Sequence, residues 1–527
     1  MRNILIIIIF GFLVYGFSLS NNFVWDDEEQ VVNNQVIHSF ANFPKFFQGS
    51  TFNAGGANGL NGLYYKPLMT SGFSAVYSLF GPNPFFFHLL SLLFHISNAI
   101  LIFLIFSRFF SNPIALFCSL IFLIHPINVE AVVYISSLQE VMFLFFGLLS
   151  FYFVFKKKMP ILIGIFFLLA LFSKETAIGF FLLIPLYFIM CEKWKSFNNK
   201  TIFYLLFSLA IYLFLRIKLA EVLFQKHDLS PISRMDFFER LISIPKIIFF
   251  YIKTFFYPVY LGISQHWAVQ TFDFQNFWRP LLMIAGFFLL LIMGFVYLLK
   301  KKDPMTMIYS FFFLWFLIGL GMHSQIVSLD MTVADRWFYF SIIGLLGMIG
   351  VMLSKIKKNK KIILIVGIII LLLFSIRSFI RTLDWKNGLT LYSKDIKIVT
   401  GSFDLENNLG VELYRNKNYK DAKIHFQKST EIAPFWWTNW NNLGVSFEDE
   451  KNYSKAADCY QKAIDNGQYF LAYENLAKLL VFYGKDQKMA GEFLQTALKL
   501  FPMNNNLLQI DTFYHQLNQS NLNQESN

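Results

Sequence analysis

The chain has 527 residues, of which 56% are hydrophobic and only 15% are charged. A mean hydropathy of +0.49 excludes a soluble globular protein of this length and predicts a chain that crosses a membrane several times. The net charge is +12, yet residues 384–527 carry 17 acidic and 15 basic side chains. The positive excess therefore lies in the first 383 residues, where it indicates cytoplasmic loops and not a nucleic-acid surface.

The first apolar segment, near 4–19, is expected to be an uncleaved signal anchor, because no small-residue cleavage site follows it. Shortly beyond it, Asp26 and Asp27 begin a run of four carboxylates. Carboxylates at the rim of a bilayer are costly unless water, a cation or a substrate compensates them. The run is either a solvated acidic cap on the helix or part of a site.

Eleven apolar segments of spanning or nearly spanning length predict the membrane topology. They lie near 4–19, 85–106, 113–127, 130–155, 159–173, 175–191, 201–216, 278–299, 305–322, 336–354 and 361–380. Lysine clusters at 156–158, 193–200, 300–302 and 355–361 should be cytoplasmic. An even number of crossings must separate neighbouring clusters, so the segment 241–261, which contains two prolines and two lysines, is expected to lie at the outer interface. The amino terminus is then cytoplasmic, and loops 20–84 and 217–277 are extracytoplasmic.

The first outer loop contains a glycine- and asparagine-rich tract, 53–62, followed by Tyr64-Tyr65-Lys66-Pro67-Leu68. The tract is typical of a flexible loop that covers a substrate. Lys66 near the interface suits a phosphate, although a lysine that only extends its ammonium to the interface is an equal alternative.

Four more polar clusters fall on the same side of the predicted bundle. They are His125 to Glu130 (including Asn128), Ser173-Lys174-Glu175-Thr176, His266-Trp267 and Asp335-Arg336-Trp337. Lys174 and Glu175 are expected to neutralise each other in part, and Arg336 suits bidentate binding of phosphate. Because the cytoplasmic clusters are plain lysine runs, we predict that these side chains converge on one outer site.

Metal binding has weak support from the sequence. His88 and His95 are seven residues apart and share a helix face, but two further ligands are lacking, and buried packing histidines are the simpler interpretation. The three cysteines show no metal-ligand spacing.

A 34-residue period begins beyond residue 384. Positions one period apart are Gly410 with Gly444, Ala422 with Ala456, Phe426 with Tyr460, and Ser429 with Ala463. The pattern around Trp440, Leu443 and Gly444 is the tetratricopeptide signature, and a third copy continues to Pro502. Residues 501–516 are expected to cap the array. The repeats either bind a peptide or serve as a scaffold.

Together these patterns predict an all-α protein with about eleven spans, followed by a soluble α-solenoid. The expected domains are a membrane domain, 1–383, and a repeat domain with about three repeats and a capping helix, 384–517. A polar tail, 518–527, is expected to be disordered.

Motifs across nearly the whole chain resemble the transmembrane-and-tetratricopeptide O-mannosyltransferases. The matching residues, in the same order, are Trp25-Asp26-Asp27, Asn33-Asn34, Tyr65-Lys66-Pro67-Leu68, His88, His125 to Val132, Ser173-Lys174-Glu175 and Arg336. The chain departs from that family in having three repeats where animal members carry more, and in having Lys66 where an arginine is common. With these departures the chain resembles a shorter, bacterial relative, which we expect in the inner membrane.

The resemblance implies a GT-C glycosyltransferase fold and transfer of a sugar, such as mannose, from a polyprenyl-phosphate donor. The acceptor would be a hydroxyl of protein Ser/Thr or a glycan at the extracytoplasmic face, with the repeats as a recruiting surface. Asp26 would be the general base, with Asp27 orienting it or replacing it. The resemblance also implies substrate contacts from Tyr65, Lys66, His125, Asn128, Glu130, Lys174, Glu175 and Arg336.

Two other functions remain open at this point. An oligosaccharide ligase or polymerase would use a lipid-linked glycan at the same face, and product mass would distinguish it. A transporter or an assembly scaffold would need no chemistry, but a transporter favours ionisable residues at the membrane centre and repeated halves, and neither is found in the sequence.

Membrane lipid is an expected partner, and nucleic acid is not. No certain cofactor is indicated; a divalent cation between carboxylates and phosphate is compatible with the chemistry, although no complete ligand set is evident.

Overall fold

The computed structural model is built of helices joined by short turns. It describes residues 1–51, 64–156, 159–192, 199–223, 230–357, 359–484 and 486–525. The glycine-rich tract 53–62, part of the lysine clusters that we expect to be cytoplasmic and the last two residues of the tail lie outside the described residues. Within the described ranges, β-structure is limited to an isolated bridge between Gln265 and Val333. The predicted all-α class is confirmed.

The predicted apolar segments correspond to helices, and the chain is a multi-pass membrane protein. In the described ranges, the helices long and apolar enough to cross a membrane number six, namely Arg2–Ser20, Pro84–Phe106, Ile135–Val154, Asn199–Leu219, Phe274–Lys300 and Lys361–Asp384. Helices Asn112–Ile124 and Pro126–Val133 make a seventh span if they are counted together across their 49° bend. Four shorter apolar helices are Pro160–Ser173, Glu175–Met190, Thr306–Met322 and Ser341–Lys355. Eleven crossings and their orientation stay a prediction.

Prolines fix where several of these helices begin. Pro67, Pro84 and Pro160 each occupy the first turn of a helix (Pro67–Phe80, Pro84–Phe106 and Pro160–Ser173), where a missing N–H costs nothing and the fixed φ suits the helix. The side chain of Asn83 also accepts a hydrogen bond from the N–H of Phe85, at 3.1 Å. The polar residues next to these starts are consequently held at helix ends.

The segment expected at the interface forms the helix Phe237–Phe256. Its first turn is fixed by a capping box between Asp236 and Glu239, with hydrogen bonds of 2.8 and 2.9 Å. Several aromatic side chains around it are exposed, among them Phe237, Phe238 and Phe256. This helix is not among those apolar enough to span, and its interfacial location stays a prediction.

The first compact unit runs from Met1 to Ile398, fifteen residues beyond the predicted end of the membrane domain at 383. The reason is a short helix, Gly388–Asp395, that folds back onto the last span. The guanidinium of Arg381 donates to both carboxylate oxygens of Asp395, at 2.6 and 2.7 Å. Asp395 also accepts the backbone N–H of Ile263, at 2.9 Å. These buried bonds join the segment to the membrane unit.

The second unit, Val399–Asn527, contains three helix pairs and a final helix. The pairs are Phe403–Arg415 with Tyr419–Ile432, Trp437–Asp449 with Tyr453–Asn466, and Phe470–Tyr483 with Gln487–Leu500. A Cβ on Gly444 would lie 2.5 Å from the Tyr460 ring, so glycine permits the close approach of the paired helices. The predicted repeat architecture is confirmed, and the number of repeats stays a prediction. The last helix, Asn505–Glu525, extends through most of the tail that we expected to be disordered.

Candidate functional site

The loop that follows the first apolar helix places its two aspartates in different surroundings. Trp25 has a φ of 57°, a left-handed conformation that costs a non-glycine residue about 1–3 kcal/mol. Beyond it, Asp27 is fully buried and its Oδ2 accepts the N–H of Val24, at 3.0 Å. Asp26 is half-buried. The bend at Trp25 thus turns one carboxylate inward and leaves its neighbour near the surface.

A single turn more than a hundred residues later binds both aspartates. The Tyr134 hydroxyl donates to Asp26 Oδ2 at 2.8 Å. Two residues on, the backbone N–H and the hydroxyl of Ser136 both donate to Asp27 Oδ1 at 2.7 Å. Burial raises the pKa of Asp27 to about 7, against the hydrogen bonds from Ser136 and Val24 that lower it. Asp27 therefore anchors the loop, and Asp26 is the carboxylate that remains partly accessible.

Glu130 and Arg336 form a buried ion pair beside this turn. The Arg336 backbone N–H donates to Glu130 Oε2 at 3.0 Å, and its guanidinium donates to Oε1 of the same carboxylate. The guanidinium carbon lies 5.8 Å from the centroid of the Tyr134 ring. The structure thus brings Asp26, Glu130 and Arg336 together through Tyr134.

Two further ion pairs lie at neighbouring helix ends. Lys174 binds Glu140 at 2.5 Å, and Glu175 binds Arg216 at 2.6 Å. The expected mutual neutralisation of Lys174 and Glu175 is wrong, because each has a partner on another helix. Glu140 and Arg216 were not recognised in the sequence, since each lies within an apolar segment and shows no local motif.

Lys66 is held beside these pairs without an ion pair of its own. Its ammonium lies 4.1 Å from the centre of the Tyr64 ring, and the Tyr64 hydroxyl donates to Asp330 Oδ2 at 2.6 Å. Among the described residues, no carboxylate lies within ion-pair distance of this ammonium. Desolvation lowers the pKa of Lys66, while the charge of Glu175 opposes that shift. Lys66 is half-buried. Its ammonium is therefore partly desolvated and is still accessible to an anion.

Three other predicted site residues form hydrogen bonds with backbone groups of other segments or of their own turn. His125 Nε2 donates to the Phe255 carbonyl at 3.0 Å, and its Nδ1 accepts the N–H of Ile127 at 3.2 Å. Asn128 Nδ2 donates to the Phe122 carbonyl at 2.7 Å. Tyr65 is fully buried, and its hydroxyl donates to the Phe47 carbonyl at 3.3 Å. None of these bonds joins His125, Asn128 or Tyr65 directly to Asp26.

These side chains form one polar cluster at the helix ends. The cluster consists of Asp26, Lys66, Glu130, Tyr134, Glu140, Lys174, Glu175, Arg216, Asp330 and Arg336. The charges of the Glu130, Asp330 and Glu140 carboxylates all act on the Arg336 guanidinium. The ion pairs Glu130–Arg336 and Glu140–Lys174 are therefore neighbours. A cavity of about 320 Å³, lined by residues between Pro231 and Gln270, includes none of these side chains.

The positions of the histidine, cysteine and carboxylate side chains bear on metal binding. Over the described part of the chain, no group of three or more His, Cys, Asp or Glu side chains is arranged to hold a metal ion. His95 uses both ring nitrogens within the bundle, with Tyr339 and the carbonyl of Leu123.

Comparison with known protein families finds a tetratricopeptide repeat at residues 438–466. Among curated proteins, the chain is 23% identical over 471 residues to protein O-mannosyl-transferase TMTC3 of Homo sapiens, which covers 80% of this chain and 50% of that protein. It is 22% identical over 473 residues to protein O-mannosyl-transferase F38B6.6 of Caenorhabditis elegans, which covers 82% of this chain and 63% of that one.

A shorter stretch of 142 residues is 32% identical to protein O-mannosyl-transferase TMTC1 of Homo sapiens and covers 26% of this chain. The similarity to protein O-mannosyl-transferases expected from the motifs is confirmed. The chain spans about half to two thirds of the length of the two relatives that it matches along most of its sequence.

Proposed function

We propose that this chain is a membrane glycosyltransferase that moves one sugar, such as mannose, from a polyprenyl-phosphate donor to a hydroxyl of protein Ser or Thr. The relatives named above are protein O-mannosyl-transferases, which supports the reaction class. The observation that carries the proposal is a half-buried carboxylate, Asp26, linked through Tyr134 to the buried cation Arg336. A base for the acceptor and a cation for the leaving group are the two charges that the reaction needs.

In the proposed reaction, Asp26 takes the proton of the acceptor hydroxyl as its oxygen attacks the anomeric carbon. The bond from that carbon to the phosphate oxygen breaks, and its electron pair leaves with the polyprenyl phosphate. Attack from the face opposite the phosphate inverts the anomeric configuration. A positioned base contributes about 10²–10⁴ in rate to such a step. Asp27 would hold the loop that carries the base.

Lys66 is the side chain that we propose to meet the donor phosphate directly. Within the described ranges its ammonium has no carboxylate partner, whereas Arg336 and Lys174 are paired with Glu130 and Glu140. An anion arriving beside Lys66 would also relieve the desolvation of that charge. Arg336 and Lys174 would stabilise the developing negative charge through space without leaving their partners.

The remaining predicted residues would support this arrangement. His125, Asn128 and Tyr65 bind backbone carbonyls and would keep the turns around the site in place. Glu175 would hold Arg216 near the phosphate. We further propose that the reaction takes place at the extracytoplasmic face, where the lysine clusters would put these helix ends, and that the repeats recruit the acceptor protein.

The test is a reconstituted reaction with the purified full chain in lipid nanodiscs. The substrates are polyprenyl-phosphate mannose and a library of peptides that contain Ser and Thr, and mass spectrometry identifies the product. The proposal predicts one added hexose on a Ser or Thr hydroxyl. Addition of a long glycan from a lipid-linked oligosaccharide would favour a ligase, and no transfer from a panel of polyprenyl-phosphate monosaccharides would contradict the proposal.

A further inference from the structure

The aromatic ring of Tyr134 is fixed by three neighbours from distant parts of the membrane unit. Trp25 stacks on it with centroids 5.4 Å apart and an angle of 15° between the rings. Trp385 lies 5.5 Å away at 31°. The Arg336 guanidinium lies 5.8 Å from the ring centroid, and Tyr134 is only 2% exposed. A ring held in this way has one direction available for its hydroxyl.

That direction leads to the carboxylate of Asp26. The hydroxyl donates to Asp26 Oδ2 at 2.8 Å, while Ser136 on the same turn fixes Asp27. The Tyr134 backbone N–H donates to the Glu130 carbonyl at 3.3 Å, which joins this turn to the partner of Arg336. One turn of chain therefore sets the position of the base relative to the cation.

The Tyr134 ring also stabilises the backbone of the loop that carries Asp26, through its stacking with Trp25. Trp25 adopts the left-handed conformation immediately before Asp26, and such a conformation persists in a non-glycine residue only when its surroundings hold it. Stacking on Tyr134 supplies such a contact. The ring thus fixes the backbone that precedes the base, and the hydroxyl fixes the carboxylate itself.

We propose that Tyr134 is the positioning residue of the reaction, which orients the Asp26 carboxylate toward the acceptor hydroxyl and keeps it at a fixed distance from Arg336. This inference rests on the proposed function of Asp26 as the base. Among the described residues, the charges that act on Tyr134 besides Asp26 include Asp27, on the same loop, and Arg336. Donation from the phenol favours the ionised carboxylate, which is the form that accepts a proton.

The test compares Tyr134→Phe with Tyr309→Phe in the full chain, reconstituted in nanodiscs. The Phe variant at 134 keeps the stacked ring and removes only the hydroxyl. Tyr309 is also buried and donates to a carbonyl, that of Leu291, at 2.8 Å, so its variant is a matched loss of one hydrogen bond outside the cluster. We expect Tyr134→Phe to lower kcat about ten- to a hundredfold, the effect of losing a hydrogen bond to a charged group, with KM for the donor unchanged.

The acidic limb of its pH–rate profile should also move to higher pH, and Tyr309→Phe should change neither quantity. An unchanged kcat and pH profile in Tyr134→Phe would overturn the inference. A second variant, Tyr134→Leu, should additionally lower the thermal midpoint, because Trp25 then loses its stacking partner.

A second readout separates this inference from the proposed function. Carbodiimides label protonated carboxyl groups, and mass spectrometry follows labelling of Asp26 against pH without any substrate. We expect the labelling midpoint to move to higher pH in Tyr134→Phe and to stay in place in Tyr309→Phe. If the wild type transfers no sugar, the proposed function fails; a shifted labelling midpoint then still supports positioning of Asp26 by Tyr134, and an unshifted one overturns it.

Discussion

Arg336 donates to the carboxylate of Glu130 with both its backbone N–H and its guanidinium, although the two residues are 206 positions apart. The pair joins the helix Pro126–Val133, which follows the bend after Asn112–Ile124, to the short turn that precedes the helix Ser341–Lys355. Tyr134 follows Glu130 by one helical turn and contacts Asp26. The ion pair therefore sets the geometry on which the proposed reaction depends.

The first prediction concerns this pair. Glu130→Ala should destabilise the protein by about 3–5 kcal/mol, because it leaves the Arg336 charge buried without a partner. Replacing both residues by Met should restore part of the loss. Denaturant unfolding in detergent and a double-mutant cycle measure both effects. Lys355→Met is the control, since its more exposed pair with Asp303 should be worth about 1 kcal/mol or less. Equal losses for Glu130→Ala and Lys355→Met would contradict the prediction.

The second prediction separates Lys66 from Lys174. Lys66→Met should raise KM for the polyprenyl-phosphate donor at least tenfold and leave the thermal midpoint nearly unchanged, because it breaks no ion pair in the part of the chain that the structure describes. Lys174→Met should lower the thermal midpoint, because Glu140 is buried and would lose its cation. Donor titrations and thermal unfolding of the two variants test this contrast. The same change in KM and midpoint for both variants would show that Lys66 has no special role.

The third prediction is a pH dependence of stability due to Asp27. The pKa of Asp27 in the folded chain, about 7, lies above its ordinary value of 3.8. The folded state therefore keeps this proton longer than the unfolded state, and stability should fall as pH rises from about 4 to about 7. Asp27→Asn should flatten that part of the curve, with a constant loss from the missing hydrogen bond to Val24. Thermal midpoints of both proteins between pH 4 and pH 8 provide the measurement; parallel curves would refute the assignment to Asp27.

The fourth prediction concerns the repeats. Gly444→Ala would bring a methyl group within 2.5 Å of the Tyr460 ring and should cost about 1–3 kcal/mol through overpacking. Gly286→Ala, in an apolar helix with no atom near the added methyl, should be tolerated. Hydrogen exchange of helices Trp437–Asp449 and Tyr453–Asn466 in the full chain reports the loss. Unchanged protection in Gly444→Ala would mean that the helices adjust without cost.

Periodicity and hydropathy predicted the parts of the fold that depend on local patterns. The apolar segments became helices because a long apolar run leaves the backbone no other way to satisfy its hydrogen bonds. The repeats followed from the glycines and aromatics at positions such as Gly444 and Tyr460. The helix Gly388–Asp395 was not assigned to the membrane unit, because its attachment depends on contacts of Asp395 with Arg381 and Ile263 that no local pattern reveals.

Local sequence patterns likewise identified only part of the candidate site. Asp26, Glu130 and Arg336 stood out because charged residues beside apolar segments are unusual. Tyr134 and Ser136 did not, since tyrosine and serine are common in such turns and their partners are more than a hundred residues away. The polarity of His125 suggested a substrate contact, yet both of its ring nitrogens bind backbone groups.

Transfer by Asp26→Asn tests the central claim most directly. The variant removes the negative charge and keeps an oxygen that can accept from Tyr134, while Glu28→Gln removes a neighbouring charge on the same loop as a control. With polyprenyl-phosphate mannose and an acceptor peptide in a single-turnover experiment, we predict that Asp26→Asn is about 10²–10⁴ times slower than the wild type, with an unchanged thermal midpoint. A folded Asp26→Asn protein that transfers sugar at the wild-type rate would contradict the claim that this carboxylate is the base.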